Sequence, residues 1–322
     1  MSDPPDEFDW IAALRPLTRG HPGALGLLDD AAVLPARPGF DVVVSEDAMV
    51  EGVHFLAGEE ASIVARRLLR TSLSDLAAKA AEPFGYTLTV AWPPSRSWDD
   101  RLAFIRGLDE DGARFGVALM GGDTVSTPGP LVASATVFGW VPAGRMVRRS
   151  GARPGHQLVV CGPIGDGGLG LRAARGEIAD PGGELARRYR LPEPWFELRE
   201  ALRAHAAAAA DVSDGLIADA MHIAEASGCE LTLDLATLPM SDAARAWVAG
   251  QPDLGRALLE LAGGGDDYAI VCAAADGAAL VRASAAAGVA AAVVGGFRPG
   301  SGLDLRLEGR RLTPDRLGWR HS

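Results

Sequence analysis

The chain is poor in cysteine. Cys161, Cys229 and Cys272 are the only three among 322 residues; they are far apart and none belongs to a CxxC pair. That argues against a disulfide framework and against a zinc site, and it leads us to expect a reducing, cytoplasmic compartment. Long apolar runs are also missing. The most apolar stretch, near 283–296, is rich in alanine and glycine and is bounded by Arg282 and Arg298. It is too short to cross a bilayer, so no membrane partner is expected. The opening segment MSDPPDEFDW is acidic and carries no apolar run, which speaks against a secretory leader. Basic residues are in deficit, 31 against 42 acidic ones, for a formal net charge of −11. Such a surface repels phosphate backbones, so no nucleic acid partner is expected. An acidic protein still binds anionic substrates when cations bridge the two.

What the chain does hold is the makings of a packed interior. Hydrophobic residues make up 48% and charged residues 23%, the profile of a globular protein. The length suits two ordinary domains or one large one. Patterning predicts strands at 41–45, 86–91, 117–120 and 131–141, and helices at 62–80 and 98–115. A basic, glycine-containing segment, GRMVRRSGARPG at 144–155, is the expected domain junction. Beyond it the alternation restarts. Strands are expected at 157–161, 230–233 and 269–272, helices at 167–175, 194–210 and 215–227, and a hairpin at 303–312. The alanine run 204–210 reads as a small-residue helix face. Two α/β halves follow from this, 1–145 and 146–322.

Carboxylates recur at the ends of apolar strands and beside glycines: Asp29-Asp30, Glu46-Asp47, Asp75, Asp123 in GGDT, Asp211 and Asp214 in DVSDG, and Asp266-Asp267 in GGGDDY. Strand ends are where α/β folds place ligand groups, and glycine lets backbone approach a phosphate closely. Hard divalent cations take oxygen ligands, and magnesium in particular combines a few carboxylates with substrate phosphates. Many aspartates with few histidines and cysteines therefore point to magnesium and phosphate. Each segment also has a plain structural reading. Asp75 fits a solvated helix position, Asp211 a helix N-cap, GGDT a tight turn, His54 a packed histidine, and Arg148-Arg149 a solvated pair. The segment GPIGDGGLG at 162–170 has neither a Walker ending nor a clean GxGxxG, and reads as a structural strand-turn-helix.

In order along the chain, these segments resemble the thiamine-monophosphate kinases, within the superfamily of ATP-binding proteins typified by aminoimidazole ribonucleotide synthetase. The matching stretches are DDAAVL from Asp29, VVSEDAMVEGVHF from Val43, SLSDLAAKAAEP from Ser72, MGGDTVSTPGPL from Met120, GRMVRRSGARPG from Gly144, DVSDGLIADAMHIAEASG from Asp211 and GGGDDYAIV from Gly263. The resemblance implies an α/β (α+β type), two-domain PurM-like fold. Its N-terminal domain, 1–145, would bind ATP and metal and supply a sheet that builds a dimer barrel; its C-terminal α/β domain would be 146–322. It implies phosphorylation of thiamine monophosphate by ATP with several Mg2+ ions, direct in-line transfer and a homodimer. Carried over by position, the metal ligands are Asp30, Ser45, Glu46, Asp47, Asp75, Asp123, Asp211 and Asp214. ATP would meet Gly122, Asp123, Arg149 and Ser213; substrate would meet His54, Asp266 and Trp319; Asp123, Arg149 and Asp211 would be catalytic.

The sequence departs from the family pattern at several positions. A glycine is replaced by Leu28, a threonine by Glu46, an asparagine by Ser72, and an aromatic near the adenine by Ile105. The usual GEDYEL reads Gly265-Asp266-Asp267-Tyr268-Ala269-Ile270. Two other readings stand beside the kinase. One is a different ATP-dependent synthetase of the superfamily. The other is a catalytically weak nucleotide-binding regulator.

Overall fold

The computed structural model describes residues 6–319. The chain divides into two compact units: Met1–Leu76 with Ala81–Gly144, and Ala77–Ala80 with Arg145–Ser322. In the first, a helix α1 (Glu7–Leu14) precedes four strands and two long helices: β1 (Phe40–Val50), α2 (Ala61–Ala78), β2 (Glu82–Trp92), α3 (Trp98–Phe115), β3 (Ala118–Ser126) and β4 (Val132–Pro142). The sheet order is β1-β4-β2-β3, so β1 and β3 form its two outer edges.

One face of this sheet is covered. On β2 the alternate residues Tyr86, Leu88, Val90 and Trp92 are buried, the period-2 signature of a strand with one face inward. Leu69, Leu73 and Leu76 of α2 are fully buried, and Trp92 meets Phe104 of α3 edge to face at 5.4 Å. Helix α3 starts on a capping box in which Ser97 and Asp100 exchange hydrogen bonds, and it stops at the left-handed Gly116, so local chemistry fixes both ends. The opposite sheet face stays open, with Val42, Val44 and Val125 exposed.

Strand β3 overturns one expectation. GGDT does not turn the chain; the strand runs through it to Ser126. A Cβ on Gly122 would lie 1.9 Å from the Leu88 carbonyl oxygen. Glycine is needed there because β2 and β3 approach closely.

The second unit holds β5 (Gln157–Cys161), α4 (Asp166–Ala174), α5 (Glu184–Arg190), α6 (Arg199–His205), β6 (Ala206–Asp211), α7 (Leu216–Ser227), β7 (Cys229–Asp234), α8 (Asp242–Ala249), α9 (Leu254–Ala262), β8 (Ile270–Ala274), α10 (Gly277–Ala286), β9 (Ala291–Pro299), β10 (Gly302–Leu307) and β11 (Arg310–Arg311). Its seven strands run in the order β11-β10-β7-β9-β5-β8-β6, with helices on both faces. Leu158, Val160, Ala208, Ala210, Val271 and Ala273 enter one core. Val159, Cys161, Ala209, Ile270 and Cys272 enter the other.

The helix expected over 194–210 is corrected by this arrangement. It ends at His205, and Ala206–Asp211 is a strand paired antiparallel with β8. Alanine favours helix by itself, but a strand buried on both faces shows no polar alternation, so its period is invisible in sequence. Pairing and burial outweigh the local preference.

The first unit also encloses an ion pair. Arg70 of α2 donates to both carboxylate oxygens of Asp111 on α3, at 2.6 and 2.9 Å, and both side chains are at most 2% exposed. Replacing one partner strands the other charge in the interior. Asp111→Ala is expected to lower stability by about 3–5 kcal/mol in chemical denaturation; a loss below about 1 kcal/mol would mean that water reaches Arg70.

Candidate active site

On β1 the alternation of the strand separates neighbours. Ser45 and Asp47 face the covered side; Glu46 faces the open one. Asp75, one turn before the end of α2, meets Ser45, whose hydroxyl donates to Asp75 Oδ2 at 2.5 Å. Asp75 is therefore not the solvated helix residue of the plain reading. Burial, then the charge of Asp75, pushes the Asp47 carboxyl up to about 6, although a hydrogen bond from Ser72 opposes this. Two carboxylates and a hydroxyl crowded together, with no basic partner among the described residues, fit a hard cation. Glu46, across the strand, accepts from Ser134 at 2.9 Å.

A second acidic group lies at the other edge of the same sheet. Asp29, Asp30, Gly122 and Asp123 line a cavity of about 360 Å³ closed on one side by Trp10, Ile11 and Leu14 of α1. Asp29 Oδ1 accepts from the Asp30 amide and Asp123 Oδ1 from the Thr124 amide, both at 2.8 Å. The register runs Ala48–Ser134–Thr89–Asp123 across the sheet. Three strand spacings thus separate Asp123 from β1, roughly 14 Å. The expected ligands of this unit form two groups on opposite edges, with Glu46 apart from both. His54 sits in the turn after β1, where its Nδ1 accepts from the Val50 amide at 3.1 Å. That bond selects the neutral tautomer with its proton on Nε2.

In the second unit the expected residues come together around one turn. Strand β6 ends at the buried Asp211, so this residue is a strand terminus and not the N-cap of α7, whose cap is Gly215. The Ser213 carbonyl accepts from the Asp266 amide, and the next carbonyl, of Asp214, accepts from the Trp319 amide, both at 2.8 Å. The turn DVSDG thereby holds both candidate substrate residues by consecutive backbone groups. Asp266 takes a positive φ of 61°, and its Oδ1 accepts from the Tyr268 hydroxyl at 3.1 Å. Trp319 is 51% exposed, leaving its ring open for stacking. Arg149 is also exposed.

Sequence reasoning missed Asp219 and His222, one turn apart on α7. A ligand atom from each, with one from Asp214, all lie within 4.8 Å of one another. Asp219 Oδ2 accepts from the amides of Asp214 and Gly215 at 3.1 Å. Burial first, and then the Asp214 charge, pushes its carboxyl up to about 7, while those amides and the Arg149 charge pull the other way. A carboxylate five residues after Asp214, in the first turn of a glycine-started helix, was the available signal.

Asp267 clamps the site from behind. Its carboxylate accepts from the Gly165 and Gly167 amides, each at 2.9 Å, joining GGGDDY to the GPIGDGGLG loop. That loop is the strand-turn-helix expected of it, running from β5 into α4. Burial outweighs the amide bonds and lifts the Asp267 carboxyl to about 8. A raised folded-state pKa means that the folded chain keeps a proton the unfolded chain releases. The stability linked to that proton is full below about 4 and is lost as pH rises towards about 8. Asp267→Asn keeps an acceptor oxygen without the charge. Its melting temperature is expected to gain on the native protein between pH 5 and pH 8.5, whereas Asp267→Ala falls at every pH. Parallel melting curves for Asp267→Asn and the native protein would overturn this assignment.

Comparison with known proteins identifies the family. The family model described as AIR synthase related protein, N-terminal domain, matches residues 28–141, and that of the C-terminal domain matches residues 153–308. A thiamine-monophosphate kinase of Caulobacter vibrioides is 58% identical over 322 aligned residues, covering 99% of this chain and 92% of that protein. The crystal structure of thiamine-monophosphate kinase from Stenotrophomonas maltophilia superposes with a TM-score of 0.83 at 33% identity, covering 95% of this chain and 98% of that one. A structure of AaThiL complexed with AMPPCP and TMP superposes with a TM-score of 0.77 at 22% identity, covering 94% and 98%; at that identity the likeness speaks for the fold alone. The chain belongs to the thiamine-monophosphate kinase family, an enzyme family with the two-domain fold of the AIR synthase related proteins.

Proposed function

We propose that the protein transfers the γ-phosphoryl group of ATP in line onto the phosphate of thiamine monophosphate, giving thiamine diphosphate and ADP. The observation that carries this reading is the 58% identity to a thiamine-monophosphate kinase over 99% of the chain. The geometry supports it. In each unit, acidic groups cluster with glycine and hydroxyl groups and little compensating positive charge, a donor set suited to magnesium and to polyphosphate. Asp30, Ser45, Glu46, Asp47, Asp75 and Asp123 of the first unit, with Asp211 and Asp214 of the second, would hold Mg2+. When bound, magnesium neutralises charge on the phosphates.

The chain's own groups supply the rest. Gly122 lets the ATP phosphates approach the backbone of β3, and Ser213 contributes a hydroxyl to the nucleotide. Arg149 offsets charge that develops on the transferred group. The attacking atom is already a phosphate oxygen, so no strong base is needed. Asp266 and Trp319, carried on one turn, orient the thiamine moiety, with the Trp319 ring stacking on its cationic or flat ring. His54 presents its Nε2 proton to the substrate phosphate.

A cytoplasmic homodimer belongs to the same reading. Among the described residues no helix is long and apolar enough to cross a membrane. Strands β1 and β3 end the sheet with long unpaired edges, which invite pairing with another copy. Two such sheets make eight strands, a number that closes into a barrel filled by side chains. Pairing β1 of one copy with β3 of the other would set the edge that carries Ser45, Asp47 and Asp75 next to the edge that carries the partner copy's Asp123. The second copy would thus bring within reach two edges that one sheet holds apart.

Labelled ATP, Mg2+ and thiamine monophosphate should yield labelled thiamine diphosphate. ATP hydrolysis without that product would favour a synthetase, and nucleotide binding without turnover a regulator. Asp123→Asn and Asp211→Asn should each lower kcat on the order of 100-fold with the fold retained, and a near-native rate would remove that residue from the site. Protons compete with cations for Asp47, so the Mg2+ concentration for half-maximal rate should rise as pH falls through about 6. A requirement flat from pH 5 to pH 8 would free Asp47 of this role.

A further inference from the structure

The reaction above gives His54 a task and leaves Glu51, three residues earlier in EGVHF, without one. The turn that holds both follows β1 directly. Gly52 takes a positive φ of 81° there, and Val53 at the tip is exposed. Burial anchors the far end, at Phe55. Packing of that ring fixes the path of the chain and leaves the direction of the preceding imidazole to polar contacts.

Val50 and His54 close the turn on each other. The His54 amide donates to the Val50 carbonyl at 2.9 Å, and the Val50 amide donates to His54 Nδ1 at 3.1 Å. The ring is thus aimed by the backbone of its own turn, and a small rotation within that backbone would break the bond. Glu51 holds the same stretch from outside. Its Oε1 accepts from the Gly58 amide at 2.9 Å and from Arg96 Nη2 at 2.7 Å. Its Oε2 accepts from the Leu131 amide at 3.2 Å, and the Leu131 carbonyl accepts from the Glu51 amide at 2.9 Å. Arg96 also donates through Nη1 to the Glu59 carbonyl at 3.0 Å. One carboxylate therefore ties the turn to the loop after it, to the β2–α3 connection and to the residue before β4. From α2, the buried Arg67 donates to the His54 carbonyl at 3.2 Å. Burial works to raise the Glu51 carboxyl, but the Gly58 and Leu131 amides and the Arg96 charge outweigh it and hold it below the ordinary range. The clamp is charged at neutral pH, and charge-assisted bonds are the strong ones.

We propose that Glu51 is a positioning residue for the substrate phosphate, acting through His54. The carboxylate holds the turn, the turn's backbone holds Nδ1, and Nε2 carries the proton that meets the phosphate. Glu51 itself does not touch substrate. The proposal rests on the kinase reading above.

Glu51→Ala tests it in two ways. The kcat/KM for thiamine monophosphate should fall about tenfold, the effect of one misdirected hydrogen bond, with the KM for ATP within about twofold of native. In a His54→Ala background the same substitution should cost less than about twofold, because the group it serves is gone. Glu51→Gln keeps an acceptor oxygen and should recover part of the loss; it stands in where Glu51→Ala is too unstable, with smaller effects in the same direction. The second readout is the ring itself, by nitrogen NMR of isotope-labelled histidine at about pH 8, above the ordinary imidazole pKa. The His54 signals, identified by their loss in His54→Ala, should show Nδ1 unprotonated and Nε2 protonated. In Glu51→Ala the two shifts should move towards each other as the tautomers mix. An unchanged kcat/KM, or losses that simply add in the double variant, overturns the role in placing the phosphate. Identical ring shifts in the native protein and Glu51→Ala overturn the clamp. Should the native protein form no thiamine diphosphate, the kinase reading falls, and the ring shifts alone decide whether Glu51 orients His54.

Discussion

Like charges held at close quarters are the constraint on which the molecule turns. Asp47 is lifted to about 6 by its burial and by Asp75; Asp219 is lifted to about 7 by its burial and by Asp214. Neither arrangement helps the chain fold, because a buried carboxylate beside another is costly unless something positive joins it. The fold offers little that is positive. Among the described residues its buried arginines are committed, Arg70 to Asp111 and Arg67 to the His54 carbonyl. Cation-binding is the role we propose for such a pattern, with polyphosphate chemistry the use of those cations.

The scaffold treats its two halves differently. The first unit exposes one sheet face and two strand edges and places acidic groups at each edge. The second buries its sheet on both sides and gathers its candidate residues at one turn, braced by Asp267 and by consecutive carbonyls. A loose-edged sheet suits association, and a rigid turn suits the precise holding of a substrate.

Much of the fold was legible because its local signals were strong. Helix α3 has its cap at Ser97 and its stop at Gly116, and occupies the span the apolar spacing predicted. Strand β4 and the β10–β11 hairpin were likewise readable. Where both faces of an element are buried, the period vanishes, and Ala206–Ala210 passed for helix. Gly121-Gly122 suggested a turn because sequence does not reveal a close strand approach. The acidic segments announced a cation site, and the order of motifs announced the family. No local signal could divide the ligands between opposite edges of a sheet, since that depends on strand order. Asp219 lies within the stretch that begins at Asp211, yet it came to light only through its hydrogen bonds to the turn.

Complementation between two damaged copies probes the reuniting of those edges most directly. Asp47→Asn and Asp123→Asn each impair every site when present alone. If β1 and the partner's β3 share a site, co-assembled copies restore one intact site in half of the dimers, and activity returns to about a quarter of native. Activity that stays at the level of the separate variants, in a preparation proven to contain mixed dimers, contradicts the shared site.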